Sequence, residues 1–590
     1  MSKIGAKDNL NPNQKEAVEY SGGPLLIAAG AGSGKTKTLT NRLAWLIKNG
    51  APPANIIAIT FTNKAAKEMA ERISVPSETF IGTFHSLGAR ILKKEAKFAK
   101  RAPSFTIFDD DDSLSLIKKL MKEMNLSKEK FSPLELERKI SQIKNEFLDP
   151  AEFDDVTAEV FKNYETALVK NNAFDFDDLI EKVVKIFQKN PEVLKKYQEK
   201  FKFILVDEYQ DINTSQYQLI KLLAEEHKNL SVVGDDQQAI YSFRGADFRN
   251  FLNFENDWPG AKIIKLEQNY RSSGTIINAA SGMIKNNKFQ TPKTLWTENA
   301  EGNLIKVIKA PDPETEAEWI ATEISKPRRE LPPTAIIYRT NAQSRSIEQA
   351  LIVAGIPYKI FGGFKFYERK EIKDLLAGLR LAFNSKDSVS KDRLEKNFDK
   401  KTAAHLILEL PRLSEKLKII ELINFFINNT DYFEYLRKNY KNYPERIENV
   451  NELIRFASEF ETLDEFLERV ALLQSTDSPK NQILDSRFQL PVSLMTIHLA
   501  KGLEFDRVFV VGCSEGLLPH QMSYGSLEEL EEERRLMYVA MTRAKKELAL
   551  SFTKLPSRFV YEIPPELTEF VDLGGNETEL PDEEEAWIDY

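Results

Sequence analysis

The sequence predicts an α/β chain of two doubly wound parallel-sheet cores, each interrupted by a mainly helical insertion. Three observations carry that expectation: short, bare apolar runs ending in Thr, Asp or Gly; helical patterns between them; and two long charged stretches with helical spacing and no strand signal. Strands covered on both faces read as such runs, because neither face needs polar alternation. A chain of 590 residues has room for several domains of this size.

Taken in order, residues Pro24–Ala29 form an apolar run that ends in a Gly-rich turn. A helical pattern follows from Lys35 to Lys48 and is closed by Asn49-Gly50, giving strand, loop, helix. Further bare runs stand at Ile56–Thr60, Phe203–Val206 and Leu230–Val233 and complete one α/β core. Between them, Leu87 to about Glu199 is rich in Lys, Glu and Leu and reads as an inserted helical subdomain. A second strand set, Leu304–Ile308, Ala335–Tyr338, Met495–Ile497, Val508–Val511 and Leu548–Phe552, implies a second core. Its interruption, Asn384 to about Leu490, is charged and helical and ends in the polar stretch STDSPKNQ. The expected division is 1–88 and 200–272 for the first core and 89–199 for its insertion. The second core takes 273–380 and 491–566, its insertion 381–490, and an acidic, disordered tail 567–590.

Composition narrows the function classes. Apolar residues make up 42% and charged residues 29% of the chain, and no window nears the ~18 uninterrupted apolar residues of a membrane span. The amino terminus, MSKIGAKDNLNPNQ, lacks an apolar signal region, so a cytoplasmic location and no membrane partner are expected. The single Cys513 and the five dispersed histidines argue against a disulfide framework or a zinc cluster. The net charge of −8 resides in eight acids between Asp572 and Asp589; without them the other 82 acids match the 82 Lys plus Arg. Bulk charge therefore neither supports nor opposes a nucleic-acid partner.

The segment Ala29-Gly30-Ala31-Gly32-Ser33-Gly34-Lys35-Thr36 approximates a phosphate loop, departing only in having Ala29 at the first glycine position. Small residues let consecutive backbone N–H groups face phosphates at a helix N-terminus, Lys35 adds a point charge, and the Thr36 hydroxyl can ligate Mg2+. A plain Gly-rich turn is the bland alternative, but strand and helix stand where the motif needs them. Phe203–Val206 ends in Asp207 and Glu208, the first placed to hold Mg2+, the second to orient and deprotonate an attacking water. After the next strand, GDDQQAIYSFRGAD offers Gln238 as a sensor of the γ-phosphate and rings that can touch a second ligand.

In this order the chain resembles the UvrD/Rep/PcrA-type DNA helicases of superfamily 1. The resemblance rests on LNPNQ, AGAGSGKT, ITFTNKAAKEM, GTFHSL, VDEYQD, GDDQQAIYSFRGAD, LEQNYRS, YRTNAQSR, MTIHLAKGLEF and EERRLMYVAMTRAK. It implies two RecA-like cores, ATP with Mg2+, and single-stranded DNA or single-strand/duplex junctions as partners, with DNA repair or replication proteins beside them. It assigns Gln14 to the adenine edge, Tyr270 to the adenine face and Glu504 to the ribose. It also makes Arg271 and Arg543 the arginines that reach the γ-phosphate from the second core, where spread guanidinium charge stabilises the transition state. For Arg543, read here within a helix from Leu527 to Glu547, the alternative is a surface ion pair with a neighbouring Glu.

For the DNA the resemblance implies Phe61, Thr62, Asn63, Thr83, Phe84, His85, Tyr241, Phe243, Arg244, Arg339, Asn341, Thr496 and His498. Rings provide sequence-tolerant stacking, although Phe61 and Phe84 read equally well as core residues. Phe243 stands where relatives usually have Trp, which implies a weaker grip. The second insertion is shorter than is usual in these helicases and lacks their glycine-rich, duplex-contacting turn. The expectation is thus an ATP-driven helicase moving 3′ to 5′ on single-stranded DNA. The alternatives are a translocase that strips bound proteins with little unwinding, and a non-motor single-strand binding protein.

Overall fold

A computed structural model of the chain describes residues 10–72, 76–127, 130–327, 331–476, 490–575 and 579–580. It forms two compact units: unit 1 is Met1–Arg271 with Asn287–Asn299, and unit 2 is Ser272–Asn286 with Ala300–Tyr590.

Unit 1 is built on a six-stranded parallel sheet. Its spatial order is Phe80–Thr83, Ile56–Thr60, Phe203–Val206, Leu230–Gly234, Leu25–Ala29, Lys262–Leu266. Successive side chains of a strand point to opposite faces. Leu26, Ala28, Ile57, Ile59, Val206 and Val232 accordingly enter one apolar cluster, while Leu25, Ile27, Ala29, Ile56, Ala58, Leu205 and Val233 enter the other. That two-sided burial is why the central strands are legible as bare apolar runs. Phe80–Thr83 and Lys262–Leu266, absent from the sequence reading, are the two edges; FIGT and KIIKL keep partly exposed positions that dilute the apolar signal.

The first insertion carries the helices Asp110–Glu123, Pro133–Glu146, Asp155–Lys170 and Asp178–Lys189. It is mainly helical, as expected, with one strand pair that the sequence did not signal. Thr106–Phe108 and Ala173–Asp175 pair as a two-stranded parallel ribbon, three residues each and too short for a periodicity to register.

In unit 2 seven parallel strands run in the order Tyr358–Ile360, Val492–Thr496, Thr334–Tyr338, Phe505–Val511, Ala544–Thr553, Ile305–Ala310, Thr568–Asp572. The last of these corrects the expected tail: Thr568–Asp572 is an edge strand, half-exposed, whose acids masked its pairing potential. Residues 576–578 and 581–590 of that tail lie outside the described residues. A second correction concerns Asn287–Asn299, expected in the second core. This segment belongs to unit 1, where Trp296 and Thr297 pair with Gln268 and Asn269.

The second insertion is a set of helices, from Ser388–Asn397 to Leu463–Thr476, around the long helix Lys370–Phe383. Leu375, Leu379, Leu406, Leu422, Phe426, Tyr432 and Leu453 form its core. The fully buried Arg345 of the second core fastens it by donating to Glu452 at 2.6 Å.

Candidate nucleotide and nucleic-acid sites

In parallel α/β sheets ligands gather outside the carboxyl ends of the strands. In unit 1 those ends present the predicted residues: Ala29 leads into Gly30–Lys35, Val206 into Asp207 and Glu208, Gly234 into Asp235–Gln238, and the paired Thr60 and Thr83 into Phe61 and Phe84.

The loop Gly30–Gly34 turns from strand Leu25–Ala29 into helix Lys35–Lys48, which leaves its first amides free to face an anion. Gly32 and Gly34 take φ of 65° and 83°, the left-handed region that glycine enters without a steric cost. Space is as restrictive as torsion at Gly32, where a Cβ would stand 2.5 Å from the Asn269 Nδ2. The Asn269 amide donates to the Ala31 carbonyl at 2.7 Å and the Tyr270 N–H to the Gly32 carbonyl at 3.0 Å. The Thr36 hydroxyl donates to Asp207 Oδ2 at 3.0 Å, joining the loop after Leu25–Ala29 to the acid after Phe203–Val206.

Asp207 is buried, and its carboxyl is pushed up to about 7 by that burial and by the neighbouring Glu208, against the pull of Thr36 and Lys35. A carboxylate so costly to ionise alone, beside a hydroxyl oxygen, fits a divalent cation that keeps several water and phosphate ligands. Thr36 and Asp207 are the residues that would hold Mg2+. Glu208 sits at φ 52°, a strained backbone of the kind found at functional sites, and accepts from the Gln210 amide at 2.7 Å. Lys35 Nζ lies 3.9 Å from Asp235 Oδ2, and the Gln238 amide donates to that same oxygen at 2.6 Å.

Gln14 is buried, donating to the Ser33 carbonyl at 2.8 Å and accepting from the Asn11 N–H at 3.1 Å. Tyr270 is 48% exposed; its hydroxyl accepts from Asn11 and donates to Gln268, which leaves the ring outward. Arg271 lies within the expected 200–272 and not in the second core, from which the resemblance brings it. It belongs to unit 1, where its N–H donates to Asn269 at 2.8 Å and its Cβ is 2.9 Å from a Cβ placed on Gly32.

Arg543 is in unit 2, in the turn after helix Leu527–Met541 rather than within a helix reaching Glu547, because strand Ala544–Thr553 begins at the next residue. Arg543 is not at the surface, where the ion-pair alternative placed it. Arg543 is buried and donates to the carbonyls of Val539 and Leu503 and to the Thr542 hydroxyl. Glu504, exposed, pairs with Lys545 at 2.7 Å and precedes Phe505, the register partner of Ala544.

Among the expected DNA contacts, Phe61 and Tyr241 stack with ring centroids 5.6 Å apart and planes 9° apart. Phe243, 65% exposed, lies 6.1 Å from Tyr241, and the Arg244 guanidinium covers both rings at 5.4 Å. Thr62 and Asn63 are exposed beside them. Thr83 caps the helix Phe84–Glu95, and His85, held below its usual range by burial, meets Phe176 edge-on at 5.9 Å. Phe84 is a core residue, 3% exposed, and presents no ring to a base. In unit 2, Thr496 closes strand Val492–Thr496, and Arg339, Asn341 and His498 follow the carboxyl ends of this strand and its pair Thr334–Tyr338. Arg339 forms a fork with Glu533 at 2.7 Å, and Asn341 donates to Glu445 at 3.1 Å.

Residues 10–259 match the UvrD/REP helicase N-terminal domain, and residues 264–444 and 430–555 match the UvrD-like helicase C-terminal domain. The chain belongs to the UvrD/REP helicase family. It is 42% identical over 638 aligned residues to the ATP-dependent DNA helicase PcrA of Bacillus subtilis, covering 95% of this chain and 86% of the relative. To the same-named protein of Staphylococcus aureus (strain Mu50) it is 40% identical, covering 97% and 89%. A probable DNA helicase II homolog of Rickettsia felis is 40% identical, covering 95% and 96%.

Within this UvrD/REP framework the structure adds residues that sequence reasoning missed. Gln210 accepts from the Asp235 N–H at 3.0 Å, tying the acid strand to the glutamine segment. Lys293 is buried between Asp235 and Asp236. GDDQQ marks an acidic turn in the sequence, but nothing local in TPKTLW points to its counter-ion. No helix among the described residues is long and apolar enough to cross a membrane.

Proposed function

We propose that the chain is an ATP-dependent DNA helicase that translocates 3′ to 5′ on single-stranded DNA. The observation that carries this reading is the convergence of Lys35, Thr36, Asp207 and Glu208 at one end of a sheet whose neighbouring strand ends lead to an exposed ring and Arg cluster. The loop amides and Lys35 bind the β- and γ-phosphates. When bound between Thr36 and Asp207, Mg2+ supplies positive charge to the phosphate oxygens. Glu208 orients the attacking water and accepts its proton at a carboxylate oxygen, while Arg271 spreads positive charge over the equatorial oxygens. Tyr270 covers the adenine. Phe61, Tyr241 and Phe243 stack on bases, Arg244 meets phosphate, and hydrolysis alternates the grip that each core has on the strand.

The test is ATP hydrolysis with and without single-stranded DNA, followed by unwinding of duplexes with a 3′ or a 5′ overhang. Stimulation by DNA and separation of the 3′-tailed duplex are expected; Lys35→Ala and Glu208→Gln abolish turnover. Undiminished hydrolysis by Glu208→Gln removes it from its assigned role. A second reading, a translocase that strips bound proteins, is favoured by residues 381–490, which contain no glycine and hence no glycine-rich turn for duplex contact. Brisk DNA-stimulated turnover with tailed duplexes left intact selects it.

A further inference from the structure

Asn287–Asn299 is flanked in the chain on both sides by residues of unit 2, yet it is seated in unit 1 against the nucleotide loop. Trp296 N–H donates to the Glu267 carbonyl at 3.0 Å, and the Lys265 ammonium donates to the Pro292 carbonyl at 2.7 Å. Gln237 donates to Gln290 at 2.7 Å, and the Leu295 Cδ2 lies 2.2 Å from where a Cβ on Gly30 would be. At the centre is Lys293, whose fully buried ammonium is 2.6 Å from Asp235 Oδ1 and 2.6 Å from Asp236 Oδ1.

The other oxygen of Asp235 faces the reaction. It accepts from Gln238 at 2.6 Å and stands 3.9 Å from Lys35. One buried carboxylate is thus shared between Lys293 behind it and the phosphate-binding lysine and γ-phosphate sensor before it. Burial alone would raise Asp235; Lys293 first and Lys35 second overcome this and hold it below its ordinary range. Burial likewise opposes the charge on Lys293, and the two aspartates restore it. A buried ion set of this kind is unforgiving, because removing one partner leaves a charge with neither water nor counter-ion.

We infer that Lys293 is a positioning residue of the nucleotide site: by neutralising Asp235 from behind, it leaves Lys35 and Gln238 available to the γ-phosphate and so sets the preference for triphosphate over diphosphate. Without Lys293, Asp235 draws Lys35 toward itself, and its uncompensated charge repels the additional charge of a γ-phosphate. A diphosphate, which brings no γ-phosphate, loses less. The inference rests on the ATP-site reading above.

The experiment measures binding of ATP, under Mg2+-free conditions that prevent turnover, and of ADP to the full chain. The proteins are the unaltered chain, Lys293→Met and the double variant Lys293→Met/Asp235→Asn, each checked by thermal unfolding. In Lys293→Met, ATP affinity falls about tenfold more than ADP affinity, the direction set by a charge left within a few ångströms of the phosphate site. Asp235→Asn in the same chain removes that charge and restores most of the ATP preference. The double variant has the same net charge in this buried set as the unaltered chain, with Asp236 still accepting from the Thr291 N–H, and keeps the test valid should Lys293→Met fold poorly. Equal losses for both nucleotides, or a double variant no better than the single one at preferring ATP, overturn the inference and reduce Lys293 to a structural tether. Failure of the unaltered chain to bind ATP overturns the ATP-site reading itself, an outcome distinct from a variant with an unchanged ratio.

Discussion

Arg42 offers a quantitative test of how the nucleotide site is held. It lies on helix Lys35–Lys48, is 5% exposed, and reaches to the end of the short helix Pro12–Glu19. Its Nη1 donates to the carbonyls of Tyr20 at 2.7 Å, Ala17 at 2.9 Å and Val18 at 3.3 Å, while Nε donates to the Ser231 hydroxyl at 2.8 Å. The last carbonyls of a helix have no partner within it, and Pro12–Glu19 has no basic residue in its own last turn. Arg42 therefore supplies the missing cap from another element. A helix of eight residues is marginal by itself, and this one carries Gln14, which braces the Ser33 carbonyl.

Replacing Arg42 by Met keeps the length and apolar stem but removes every donor. Hydrogen bonds from a charged group contribute roughly 1.5–3 kcal/mol each. Since the helix end can move to find water, the loss is nearer that of one or two bonds, about 3 kcal/mol against local opening. That corresponds to about 100-fold faster amide exchange over residues 13–19 when exchange follows the opening equilibrium. Hydrogen exchange read by mass spectrometry on this peptide measures it, and ATP affinity falls in parallel because Gln14 leaves the loop. Exchange within about threefold of the unaltered chain would refute the capping argument. The helix would then be seated by the packing of Ala17 and Val18 and by the bonds of Asn13 and Gln14, without help from Arg42.

Three further outcomes follow from local geometry. Gly30→Ala drives a Cβ into Leu295 at a cost of about 1–3 kcal/mol and impairs ATP hydrolysis; Leu295→Ala in the same chain relieves it, and equal turnover in the two proteins would contradict that steric account. Phe243→Trp tightens single-stranded DNA binding and Phe243→Ala weakens it by about 1–3 kcal/mol, with little change in salt dependence because a ring meets a base rather than a phosphate. Fluorescence anisotropy across a salt series reads both effects, and an unaltered affinity in Phe243→Ala removes the ring from the DNA path. Cys513 is fully buried, its thiol pushed above its ordinary range by burial and then by Glu316. It resists thiol reagents in the folded chain and titrates as one thiol per chain in denaturant; labelling at a comparable rate in both states would show that its shell opens readily.

Contiguous residues determined much of this protein without the structure. The loop Gly30–Lys35 between strand and helix, Asp207 and Glu208 at a strand end, and the order of the motif blocks are properties of short stretches whose chemistry is readable in place. The central strands were legible for the same reason, since burial on both faces leaves a bare apolar run. The edge strands Phe80–Thr83, Lys262–Leu266 and Thr568–Asp572 were not, because one open side admits polar residues.

Tertiary structure alone decided what depends on partners far away in the chain. Phe84 and Phe61 look alike in sequence, yet one ring enters the core and the other stacks on Tyr241, a choice made by packing. Arg543 is in a segment crowded with Glu, but the turn before Ala544 buries it among backbone carbonyls. Lys293 meets its aspartates across 57 and 58 residues, and Arg42 caps a helix more than twenty residues behind it. Local periodicity constrains which face a residue occupies, whereas the pairing of buried charges is set by long-range contacts that no short window of sequence contains.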